Sequence, residues 1–332
     1  MLGHFPKVGV GKLNDALWSI PQFFHFAFLG VDIFFALSGF LITRLLLKAL
    51  RNKTYSFKNF WVKRIIRIFP IYYLTVLFCY LFISKAHIHS LLFYYSNFDF
   101  AFNHDAHPMR HTWSLAVEEH YYLFVPLIVY FISRKNLIRF FLYVIPTFVF
   151  FQVMYLGIFY PENIKIIDKV SSIRFLTLGL GSFLALKEGE LKKMTKHKKS
   201  MTLLILFLFI VGPFLRFFDS PTLYIIGRFV FSGIISISFL SILVSNHYFD
   251  EQSITQKIFS NRVLKFFGKI SYGLYLYHLP ILFLFGASHM QDYGYVSLPK
   301  LILIIGTVVF VSIISYEIIE KPMLKLKKHL VI

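Results

Sequence analysis

The chain is 332 residues long, 57% hydrophobic and 20% aromatic, with only 15% charged residues and a mean hydropathy of +0.65. A soluble globular chain carries about a quarter of its residues charged, so composition excludes that class and points to helices that cross a bilayer. The net charge of +19 would suit a nucleic-acid binder, but the lysines and arginines lie in loops between apolar runs. There they act as topology determinants facing anionic lipid, and no nucleic-acid partner is expected.

Apolar runs of about 17 to 21 residues recur, the length that crosses the hydrocarbon core, and their helical lengths argue against a β-barrel. The predicted fold is all-α, a polytopic transmembrane helical bundle with nine spans. These run roughly over 29–49, 68–84, 114–132, 138–156, 172–187, 202–218, 223–245, 270–287 and 299–318. The alternate loops 44–67, 134–139, 187–199, 257–269 and 321–328 hold 25 of the 35 lysines and arginines. The positive-inside rule makes those loops and the C-terminus cytoplasmic. Nine spans then leave residue 1 outside, unless one further span precedes it. No loop exceeds about 35 residues, so no soluble domain is expected. Cys79 is the only cysteine and sits in an apolar run, which rules out a disulfide framework. No cleavable signal peptide is visible.

The first span opens with Gly30-Val-Asp32 and continues to Ser38-Gly39, a small pair that permits close helix packing. Asp32 at its outer end reads as a cap, a helix-interface residue or a functional group. Where the next loop enters the second span, Arg64 and Arg67 stand at i and i+3, so both guanidinium groups leave one face. Arginine forks match phosphate oxygens; snorkelling to lipid phosphates is the alternative. The outer connection that follows collects His87, His89, His104, His107 and His111 with Asp99 and Asp105. The His104-x-x-His107-x-x-x-His111 spacing could suit a metal, but solvated loop histidines are commoner, and no metal is expected.

The third span begins with His111-Thr-Trp113-Ser114-Leu-Ala-Val-Glu118-Glu119-His120-Tyr121-Tyr122. On a helix, Glu118 shares a face with Ser114, Tyr121 and Tyr122, and with His111 two turns back. An ionisable group that deep in an apolar run is costly and usually functional. Further on, Arg174 stands at the outer mouth of its span, ahead of Gly179 and Gly181, and 187–199 is a basic loop. His278 falls near mid-span, about 14 Å above Lys269 at 1.5 Å per residue; a structural bond to a neighbouring helix would also explain it. Glu317 and Glu320 fall on one side of the last span, where pairing with inner-face arginines or lysines would account for them.

Taken in order, the blocks Gly30–Ile42, Arg64-x-x-Arg67-Ile-x-Pro70-x-Tyr72, Trp113-Ser-Leu-Ala-Val-Glu118, Tyr122-Leu-x-x-Pro126, Ser271-Tyr-x-x-Tyr-Leu-x-His278 and Glu320-Lys-Pro322 resemble acyltransferase family 3. These are membrane-embedded enzymes that O-acylate surface glycans. The resemblance covers nearly the whole chain and implies one membrane acyltransferase domain over residues 1–332. It also implies transfer of an acyl group, expected to be acetyl, from cytoplasmic acyl-CoA to a hydroxyl of an extracytoplasmic glycan such as O-antigen, peptidoglycan or exopolysaccharide. The location implied is the inner (plasma) membrane, with the lipid bilayer as a partner. On this reading His4 is the general base or acyl relay and Glu118 orients it or polarises the acceptor. Arg64 and Arg67 grip the acetyl-CoA phosphates, while Asp32, Ser38, Trp113 and His278 line the substrate cavity. The family's first helix carries an arginine about ten residues before a histidine, and His4 matches only the end of that motif. The expectation is therefore a chain truncated at its N-terminus, ten spans being the complete number. His120 and Tyr121 replace residues common in relatives. The competing reading is a transporter or flippase of an acyl carrier or lipid-linked sugar, with Asp32, Glu118 and His278 as its polar path.

Overall fold

The computed structural model describes residues 27–103, 107–160, 169–191, 200–204, 207, 230, 233–244, 254–286 and 297–329. Among these residues helices and the turns between them make up the structure, and no strand occurs. Four helices are long and apolar enough to cross a membrane: Gly30–Arg51, Phe57–Phe82, Arg134–Phe159 and Leu298–Leu326. Ser171–Leu186 and Gly233–Val244 are apolar but shorter. Trp113–Phe131 and Arg262–Leu284 have the length, 19 and 23 residues, but are less apolar. The first carries Glu118, Glu119 and His120; the second carries Arg262, Lys265 and Lys269. The two helices that depart from a plain lipid-spanning composition are thus two that bear candidate chemistry. Of the nine predicted spans, the one at 202–218 lies largely outside the described residues, the one at 223–245 is described at 230 and 233–244, and His4 lies outside them.

One predicted boundary moves. The second helix begins at Phe57, well before residue 68, because Ser56 caps it by accepting from the Asn59 amide at 3.2 Å. That start places Arg64 and Arg67 within a regular helix. Single π-turns interrupt the helical path at Phe140–Val144 and Tyr316–Glu320.

The chain divides into two compact units. In the first, which includes 56–113 and 261–332, the Arg262–Leu284 and Leu298–Ser315 helices lie side by side. A Cβ on Gly273 would come within 3.2 Å of the Ser312 Cβ, and the Tyr277 and Ser315 hydroxyls are 2.7 Å apart. Leu279, Ile281, Leu282, Ile304 and Val308 fill the contact. Three tyrosines then anchor backbone carbonyls within this unit: Tyr72 donates to Leu91 at 2.9 Å, Tyr272 to Ile68 at 2.9 Å and Tyr275 to His111 at 2.7 Å.

In the second unit, which includes 28–55 and 114–260, the Ala27–Arg51 and Ser171–Leu186 helices meet backbone to backbone. A Cβ on Gly39 would sit 1.9 Å from the Leu178 carbonyl oxygen, and one on Gly181 would sit 1.9 Å from that of Ala36. Only glycine permits this approach, the packing mode helices use where lipid supplies no hydrophobic drive. Ser182 fills the seam: its hydroxyl donates to the Gly39 and Leu178 carbonyls at 3.1 and 3.2 Å and accepts from Thr43 at 2.7 Å. Having spent its proton, Ser182 must accept from Tyr121 at 2.6 Å. Outward faces carry Phe78, Leu81, Phe82, Phe131, Phe148 and Phe151, an apolar surface that lipid can cover and water cannot.

Candidate active site

Glu118 lies 4% exposed in the second unit, one and a half turns into its helix. Tyr122, one turn on, donates to Glu118 Oε1 at 2.6 Å. The Tyr122 oxygen is also 2.5 Å from Ser38 Oγ. A phenol has one proton, and it is directed at the carboxylate, so Ser38 is the donor in that second bond. The three groups form a directed chain, Ser38 to Tyr122 to Glu118, ending on a buried carboxylate able to receive a proton or fix a donor. Helical spacing foretold Glu118 with Tyr122. It did not foretell Ser38, 84 residues from Tyr122, and Tyr121 turns instead to Ser182.

Asp32 is 2% exposed and accepts from Arg174 Nη1 at 2.6 Å, with Arg174 itself 1% exposed. This agrees with a helix-interface role: Asp32 lies more than one turn inside the helix described from Ala27 onward, which excludes a cap. The sequence placed Arg174 at its helix mouth but named no partner for it. Nearby in sequence, His120 Nδ1 is 2.7 Å from Ser171 Oγ.

In the first unit, His278 is 1% exposed and His111 is 4% exposed. Their rings meet at 4.6 Å between centroids and 65° between planes, and His111 lies 5.0 Å from the Tyr275 ring. His278 Nδ1 is 2.6 Å from the Tyr275 carbonyl oxygen. A carbonyl only accepts, so Nδ1 carries the proton and Nε2 the lone pair of the neutral ring. Trp113 is half-buried at the first position of its helix. Arg64 is half-buried, with its guanidinium 5.7 Å from the Phe60 ring centroid. Arg67 is exposed and lies within electrostatic range of Glu320, the kind of pairing expected for that glutamate. Glu317 is bonded to Lys321 one turn on.

The histidines of the connection before the Trp113–Phe131 helix separate into two groups. His87 Nδ1 donates to Asp99 at 2.8 Å, and its ring packs edge-on to His107 at 5.3 Å. Burial would raise the Asp99 carboxyl, but hydrogen bonds from Ser90, His87 and Asn103, with the charge of His87, hold it below its usual range. Burial and the neighbouring His87 push His107 down to about 4, against smaller upward effects from the Ala86 backbone and Asp99. His107 and His111 therefore face different partners. Among the described residues, no three His, Cys, Asp or Glu side chains converge as a metal would need; His104 and Asp105 lie outside them.

A sequence profile described as an acyltransferase domain matches residues 1–317. YrhL of Bacillus subtilis, whose name gives it provisionally as a peptidoglycan O-acetyltransferase, is 30% identical over 89% of this chain and 50% of its own length. The O-acetyltransferase OatA of Staphylococcus aureus is 28% identical over 92% of this chain and 54% of its own. The chain spans about half the length of the curated relatives it matches. No solved structure matches it.

Proposed function

Because this chain belongs to the acyltransferase family whose profile covers residues 1–317, we propose that it transfers an acetyl group from cytoplasmic acetyl-CoA to a hydroxyl of a glycan outside the membrane, with peptidoglycan as the first acceptor to try. The names of YrhL and OatA suggest the group and the acceptor class. The observation that carries the reading is the buried Ser38–Tyr122–Glu118 chain on an otherwise lipid-facing scaffold. Such a carboxylate is expensive at membrane depth and is kept for chemistry.

In the reaction the acceptor oxygen bonds to the acyl carbonyl carbon, the carbon–sulfur bond of the thioester breaks, and the hydroxyl proton ends on the leaving thiolate. Glu118 polarises the attacking hydroxyl or orients the base that takes its proton, and Tyr122 holds the carboxylate in one rotamer. His4 is assigned as that base on the family pattern alone. Arg64 and Arg67 are assigned to the donor in a plasma-membrane location, and the lysine and arginine counts support a cytoplasmic side for their end of the helix and for the C-terminus. Guanidinium forks there suit the CoA phosphates.

The test supplies radiolabelled acetyl-CoA to membranes carrying the full chain and counts label on peptidoglycan. Glu118→Gln, close in shape and uncharged, should lower transfer by about 10²-fold or more while leaving acetyl-CoA binding intact. Arg64→Ala should weaken that binding. Wild-type transfer in Glu118→Gln would remove Glu118 from the chemistry. Substrate movement across the membrane without acetylation would favour the transporter.

A further inference from the structure

We propose that His278 and His111 form a second proton-handling station for the acyl transfer, in which His278 Nε2 takes the proton and His111 shares it. The proposal rests on the acyltransferase reading above and adds a pair that neither the family match nor the relatives' names assign.

Three observations within the first unit support it. The first is tautomer control. The 2.6 Å bond from His278 Nδ1 to the Tyr275 carbonyl holds the lone pair at Nε2, as the hydrogen bond to one ring nitrogen sets the role of the other in a histidine base. The second is placement. Tyr275 donates its hydroxyl to the His111 backbone carbonyl at 2.7 Å. That bond fastens the Arg110–Thr112 turn to the Arg262–Leu284 helix and sets the two imidazoles 4.6 Å apart. One tyrosine thus positions both rings, through its carbonyl for His278 and its hydroxyl for His111. The third is burial. Both rings are almost wholly enclosed, and two imidazolium charges so close without water repel strongly, so the pair carries one proton at a time. Titratable groups here include Tyr275 itself and, in electrostatic range of Tyr275, Tyr72 on the Phe57–Phe82 helix. An imidazole exchanges protons near neutral pH, whereas a phenol ordinarily does not.

Transfer from a thioester to a hydroxyl moves one proton from the acceptor oxygen to the leaving thiolate. The station takes that proton over from the base at the acceptor, holds it until the thiolate leaves, and is returned unchanged. Purely structural histidines would need only the Tyr275 bonds and the ring contact.

The test uses the full chain in membranes with radiolabelled acetyl-CoA and peptidoglycan, measured from pH 5 to 9. His278→Asn puts an amide N–H where Nδ1–H stood, so it keeps the bond to the Tyr275 carbonyl and has no group at Nε2. His111→Phe keeps the aromatic contact and removes both nitrogens. Each variant is first shown to elute as the wild type does on size exclusion in detergent. The expected result is a fall of about 10²-fold at neutral pH. The acid-side decline of the rate should also shift or flatten in each variant relative to the wild type. A folded variant of either kind with the wild-type rate and pH profile overturns the station and leaves the acyltransferase reading standing. A wild-type chain that transfers no acetyl overturns that reading, and the station with it.

Discussion

Substituting Gly39 by alanine tests how the helix seam and the polar chain depend on each other. The new Cβ would stand 1.9 Å from the Leu178 carbonyl oxygen, whereas real Cβ contacts essentially never fall under 3.0 Å. The Ala27–Arg51 and Ser171–Leu186 helices must therefore part by about 1 Å or more, since the obstacle is backbone and cannot rotate away. At that separation the Ser182 bond to the Gly39 carbonyl, now 3.1 Å, and the Thr43 bond to Ser182, now 2.7 Å, both pass beyond useful length. Two buried hydrogen bonds at about 1 kcal/mol each, with the lost contact of the seam, come to roughly 2–3 kcal/mol. Ser38 rides on the same helix, so its 2.5 Å bond to Tyr122 is disturbed as well, and acetyl transfer should fall with stability. Gly30→Ala is the control: it lies on the same helix and nothing stands within 4 Å of its Cβ. There the gain in helix propensity is at most about 1 kcal/mol. Thermal unfolding in detergent, read by size exclusion after heating, should show Gly39→Ala about 5 °C or more below the wild type and Gly30→Ala at or above it. Equal melting and equal transfer in the two variants would refute the close-approach argument.

Two further outcomes follow from buried charge. Arg174→Ala should cost about 3–5 kcal/mol by leaving Asp32 buried without its counter-charge, and the joint Asp32→Asn, Arg174→Gln variant should recover most of the loss. Failure of the double variant to recover, measured by the same melting assay, would mean that the charges serve more than each other. The His107 group gives a pH dependence whose sign is fixed. Its folded value of about 4 lies below the ordinary 6.5, so its contribution is complete above pH 6.5 and is lost as pH falls toward 4, by up to about 3 kcal/mol. Asp99, also held low, acts in the same direction at still lower pH. His107→Asn can keep an acceptor for the Met109 amide, now bonded to His107 Nδ1 at 3.1 Å. It should flatten the melting profile between pH 6.5 and 5; an unchanged slope would contradict the assignment.

What could be read from the sequence is what local spacing encodes. Apolar runs announce helices because 1.5 Å per residue must span a fixed hydrocarbon thickness, and the Glu118–Tyr122 bond follows from an i,i+4 spacing. Ser38-Gly39 was recognisable as a packing pair, and Arg64 with Arg67 as one face. The ordered blocks also carried the family resemblance. Spacing along one helix says nothing of its register against another, and that register made the rest. Asp32 finds Arg174 across 142 residues, and Ser38 finds Tyr122 across 84. His111, one of five histidines in its connection, is singled out because Tyr275 draws its backbone in across 164 residues. Glycine seams decide the outcome: where Gly39 and Gly181 let two backbones touch, polar side chains on the two helices, Thr43 and Ser182 among them, come within hydrogen-bond reach of one another.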